Sequence, residues 1–169
     1  MPEDMVPLEI YLKDARSAIE RRAGYVAAIY DEISKRYGKD MAFDILSTAI
    51  KNYGKWEARM HMQEDPELRS SDADTRNWLP KSNREARIME RKTIKADKDK
   101  TVTEVELCPL IEAWEKMGKS REEMRILCDI SMFLDEGLSE EYPIAIKTRK
   151  RLGWGDRCCE FIFEKDDTM

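Results

Sequence analysis

The sequence predicts an α+β domain. Two long N-terminal helices lead into a hairpin–helix–helix–hairpin unit, whose antiparallel sheet of about four strands packs on helices. Three observations predict it. Apolar residues recur at steps of three and four from Leu8 to Met60. From Arg87 the pattern changes to two strand-like runs around the turn ADKDK. Near the C-terminus, two alternating runs flank a Gly-Asp turn in PIAIKTRKRLGWGDRCCEFIFEK. The 169 residues suit a single domain with one sizeable core.

Residues 8–37 read as the first helix. Leu8, Leu12, Ala15, Ile19, Ala23, Val26, Tyr30, Ile33 and Tyr37 form its apolar stripe, and Gly38 is its stop. Asp40 caps a second helix with the stripe Ala42, Ile45, Ala49, Tyr53, Trp56 and Met60, and Pro66 ends it. Residues 1–63 are thus a helical hairpin or arm, and a candidate surface for a homodimer. The polar stretch 64–83 reads as a surface loop or a lid over a pocket, anchored by Trp78 and Leu79.

Residues 84–165 form the α+β core. Its first hairpin ends near Leu107. Cys108 takes the N-cap position and Pro109 the first position of the helix LIEAWEKMG, which carries Trp114 as a candidate substrate-binding aromatic. Ser120 and Glu123 make a capping box for the next helix, which runs to about Glu136 and closes at Gly137. In the last hairpin, Ile144, Ile146 and Thr148 share a face with Cys159, Phe161 and Phe163. Lys147, Arg149 and Arg151 share the other with Cys158, Glu160, Ile162 and Glu164. Opposite charges then meet across the strands.

The formal charge of −5 argues against nucleic acid as a partner. No apolar run is long enough for a membrane span, and the N-terminus lacks a signal-peptide pattern. A cytoplasmic protein with free thiols is expected. Cys159 points to the core and Cys158 to solvent or an edge. At the helix N-cap, Cys108 should have its thiol pKa drawn down. Cys128 lies on a helix stripe with Met124, Ser131 and Asp135. Asp135 is one heptad on, about 10 Å along the axis. Cys108, Cys128 and Cys159 are separated by nineteen and thirty residues, which fits no standard metal motif. They remain a candidate set for zinc or iron, although no cofactor is required. Asp156 is read as a turn cap. His61 is the one histidine, with a packing or surface role.

The motifs ELCPLIEAWEKMG, LCDISMFLDEG and IKTRKRLGWGDRCCEFIFE, in that order, resemble the L-2-amino-thiazoline-4-carboxylic acid hydrolase family over residues 88–165. The resemblance implies a hydrolase acting on a non-peptide C–N bond of a cyclic amidine, with water adding to C=N. It places family cysteines at Cys108, Cys128 and Cys159. The chemistry suggests Cys108 or Cys159 as nucleophile, Asp135 as acid/base, and Arg149 as carboxylate clamp, with Cys128 and Trp114 lining the substrate. The closing Gly155-Asp156…Cys159-x-Phe161 is also similar to vinyl-4-reductase-type domains. This implies an alternative: a non-catalytic small-molecule-binding or sensor module, with a cysteine-bound zinc.

Overall fold

The computed structural model describes residues 6–69 and 74–165. Helices α1 (Leu8–Tyr37) and α2 (Lys39–Glu64) meet at a single connecting residue. That residue is Gly38, whose φ of 91° is a backbone conformation open to glycine and costly for other residues. Two 3-10 turns, Pro66–Arg69 and Thr75–Trp78, and the short helix α3 (Asn83–Ala86) lead into strands β1 (Arg91–Ala96) and β2 (Lys100–Val105). Helices α4 (Pro109–Lys116) and α5 (Arg121–Ser139) follow, then β3 (Ile144–Thr148), a 3-10 turn at Leu152–Trp154, and β4 (Cys159–Lys165). The four strands are all antiparallel, in the order β1-β2-β4-β3. The expected α+β class and sheet are both present.

The caps expected for α4 and α5 are present, but Asp40 does not cap α2, whose N-cap position is taken by Gly38 with no side-chain hydrogen bond. Pro109 opens α4 behind Cys108, and Ser120 and Glu123 form a complete capping box on α5. The loop before α3 is tied to the first hairpin by Thr75. Its fully buried hydroxyl donates to the Asp97 carbonyl at 2.8 Å and lies 3.0 Å from the Thr101 hydroxyl. Trp78 packs edge-on against Tyr142, with ring centroids 5.1 Å apart. Residues 70–73 of the expected loop lie outside the described residues.

Several expectations are corrected. The N-terminal helices are not a separate arm. Ala23, Ala27, Tyr30, Ala42 and Leu46 share one apolar cluster with Ala113, Trp114, Leu127 and Ile130. Most of the stripe expected on α2 faces outward: Ile45, Ala49, Tyr53 and Trp56 are exposed, while Ala42 of that stripe is buried together with Leu46, Ser47, Gly54 and Ala58. Small residues win because α2 crosses α5 closely. A Cβ on Gly54 would collide with the Leu134 carbonyl, and one on Gly137 with the Lys51 carbonyl. Gly137 therefore does not end α5; it lies inside the helix, at the crossing. Cys158 is buried rather than at a solvent edge. Arg151 leaves the strand face, because β3 ends at Thr148. Lys147 pairs with Glu164 as expected, but Glu160 is paired by Lys150 in place of the expected Arg149. Among the described residues, no helix is long and apolar enough to cross a membrane.

Candidate active site

Register places the first part of the site. Arg91 at the start of β1 pairs with Val105 on β2, which pairs with Cys159 on β4. Directly opposed residues point to the same sheet face, so Arg91, Val105 and Cys159 make one row. The next row on that face is Thr93, Thr103, Phe161 and Thr148. The Arg91 guanidinium lies 5.6 Å from the Phe161 ring centroid. Thr103 is fully buried, and its hydroxyl has no hydrogen-bond partner. An orphaned buried hydroxyl is uncommon and calls for a water or ligand.

Asp135 of α5 stands over this region. It is half-buried. Burial pushes its pKa up to about 7, against the pull of Arg91 and Arg151, with Glu57 adding a smaller upward push. Arg91 is itself half-buried and forms no ion pair among the described residues. Burial draws its pKa down, and the fields of Asp135 and Cys159 oppose that. A cation so placed has lost water without gaining a close counter-ion, which suits it to an anionic ligand.

Cys108, Cys128 and Cys159 also lie near one another, since Cys108 and Cys159 both act on Cys128 and Cys108 acts on Cys159. Cys159 accepts the Leu152 amide at 3.3 Å. Gly153 presses on Cys128: a Cβ there would sit 2.5 Å from the Cys128 Cβ and 2.7 Å from its Sγ. Burial pushes Cys128 up to about 12 and Cys159 up to about 11. Cys108 was expected to move down. The Leu110 and Ile111 amides do favour its thiolate, but burial is the larger effect and its pKa rises. All three are therefore neutral thiols near pH 7. Among the described residues, no group of three or more His, Cys, Asp or Glu side chains is placed to hold a metal ion, and no step below is routed through one.

Two clefts flank the cluster. One, of about 340 Å³, is lined by Trp78, Leu79 and Pro80 of the loop, by Ile88 and Met89, and by Arg91. The other, of about 450 Å³, lies beyond Gly153 and is walled by Trp154, Arg125 and Met124. Asp129 closes that side. It accepts the Arg151 guanidinium at 2.8 Å and the Trp154 indole N–H at 2.7 Å. Asp156 caps the turn as expected, accepting the Arg151 amide at 2.8 Å.

Two expected site residues stand elsewhere. Trp114 is a core residue, only 1% exposed, with its indole N–H donated to the Ala23 carbonyl. It has no face for a substrate. Arg149 is exposed just past the end of β3. The arginines that act on Asp135 are Arg91 and Arg151. His61 shares a 2.8 Å hydrogen bond with Tyr142, a structural role. Sequence reasoning missed Arg91, Arg151 and Thr103, because each is one of many similar residues in a charged strand. Only the cross-strand register distinguishes Arg91 and Thr103, and the end of β3 turns Arg151 inward.

The fold and these residues together define a small α+β domain with a half-buried acid whose pKa is raised to about 7, two arginines and three neutral thiols. The chain belongs to the L-2-amino-thiazoline-4-carboxylic acid hydrolase family, whose model matches residues 16–163. No curated protein and no solved structure matches it.

Proposed function

We propose that the protein opens a small cyclic amidine bearing a carboxylate, of the L-2-amino-thiazoline-4-carboxylate type, with Asp135 as the proton carrier. The observation that carries this reading is the pairing of Asp135, poised near neutrality, with Arg91, a half-buried cation without a close counter-ion. Arg91 receives the substrate carboxylate from the cleft it lines. Ionised Asp135 takes a proton from water, whose oxygen bonds to the ring carbon between nitrogen and sulfur. Asp135 passes that proton to the ring nitrogen as C=N becomes a single bond, then takes the hydroxyl proton as C=O forms and the C–S bond breaks. Asp135 returns its proton to the leaving sulfur. Opening to an N-carbamoyl cysteine thus cleaves C–S and keeps both C–N bonds, which replaces the C–N cleavage expected from the sequence. Thr103 holds the water or the exocyclic amine through its free hydroxyl.

The thiols line this site without attacking. With a pKa of about 11, Cys159 is ionised in only about one molecule in ten thousand at pH 7. Exposed Arg149 has no part in this reading. The test is turnover followed by release of the product thiol. Asp135→Asn should cut kcat at least a hundredfold. Arg91→Ala should raise KM for the carboxylate substrate. Cys159→Ala should stay within about tenfold of the parent, since no covalent step is lost. Abolished turnover in a folded Cys159→Ala variant would return the attack to sulfur. Absence of ring opening in the parent protein would remove this substrate class.

A further inference from the structure

The outward face of α2 carries a line of large apolar side chains that nothing among the described residues covers. Met41 is 48% exposed, Ile45 42%, Tyr53 49% and Trp56 54%, with exposed Ala49 at the centre. Tyr53 and Trp56 lean on each other, with centroids 5.5 Å apart. We propose that this face is the contact between two copies of the chain, packed as antiparallel α2 helices about a two-fold axis at Ala49.

Two features favour a second copy. The first is area. Half of four large side chains is roughly 400 Å² of apolar surface. A standard interface takes about 800 Å² per partner, a little over half of it apolar, so the stripe supplies most of what such a dimer needs. The second is self-complementarity. Large residues flank a small one on both sides, so a two-fold at Ala49 sets Ala49 against itself and Ile45 against Tyr53, and lets two helices approach closely. Antiparallel pairing also opposes the helix dipoles.

The proposal does not depend on the reaction. Light scattering of the full chain after size-exclusion chromatography should give about twice 19.9 kDa. Ile45→Glu combined with Trp56→Glu should give a monomer with unchanged helical circular dichroism, since both side chains are exposed. Ala49→Cys should form a covalent dimer on mild oxidation, while the four native cysteines, three buried and one half-buried, stay unlinked between chains. A parent protein that is monomeric at tens of micromolar overturns the proposal. So does a dimer that survives the double substitution. Failure of Ala49→Cys to cross-link a dimeric protein overturns the antiparallel pairing.

Discussion

Asp135 stores free energy in its protonated form. Its pKa in the folded chain, about 7, lies above the ordinary 3.8, so between these values the folded state holds a proton that the unfolded state has released. The stabilisation is complete at acid pH and is lost as pH rises through 7, by an upper bound of about 4 kcal/mol. Asp135→Asn should therefore raise the urea midpoint at pH 8 while it removes turnover; a lowered midpoint would mean the carboxylate is stabilised in the fold. Arg16 of α1 is a second residue to test. It donates to the Ile88 carbonyl at 2.9 Å, the Arg87 carbonyl at 2.7 Å and Glu90 at 3.1 Å. This clamp holds Glu90 at a φ of 47°, a strained conformation for a non-glycine residue, immediately before Arg91. Arg16→Ala should raise KM for the carboxylate substrate severalfold with little change in kcat; an unchanged KM would make the clamp merely structural. Neither arginine was legible in the sequence. Each acts through the spatial partners that the fold gives it.

At the scale of elements, the most demanding contact is the crossing of α2 and α5. Backbones touch at Gly54 and Gly137, and Lys51, Lys55 and Arg59 bridge to Glu136, Glu140 and Glu141 along it. The bridges are partly exposed and individually weak. The glycines are the strict requirement. Gly137→Ala should cost about 3 kcal/mol in denaturant unfolding, because the obstacle is backbone rather than a movable side chain. A cost below about 0.5 kcal/mol would show that the helices can separate without penalty. This crossing also explains what periodicity could and could not disclose. Helix positions, the capping box and the sheet face of Phe161 and Phe163 were legible, because each is a local pattern. The buried side of α2 was not. Apolar periodicity marks the larger hydrophobes, whereas a close crossing selects Ala, Ser and Gly. The line of Ile45, Tyr53 and Trp56 was real but belongs to the surface.

The whole molecule is a sheet and a helical layer with ionisable groups enclosed between them. Its stability should fall in two stages as pH rises: between about 4 and 7 through Asp135, and again above about 9 through the thiols. Cys128 and Cys159 have folded values of about 12 and 11 against an ordinary 9.0, so each favours folding while neutral and loses that contribution as pH climbs. Thermal unfolding across this range checks both stages. The candidacy of Cys108, Cys128 and Cys159 was legible in the motifs, and so was the helix face that Asp135 shares with Cys128. Their protonation was not, since it depends on how much protein surrounds them. The central claim is that Asp135 carries a proton near neutral pH. It is tested most directly by a carboxyl carbon NMR titration, with the Asp135 resonance assigned by its loss in Asp135→Asn. A midpoint near 7 is the predicted result. A midpoint near 4 would show an ordinary carboxylate and contradict its role as the proton carrier.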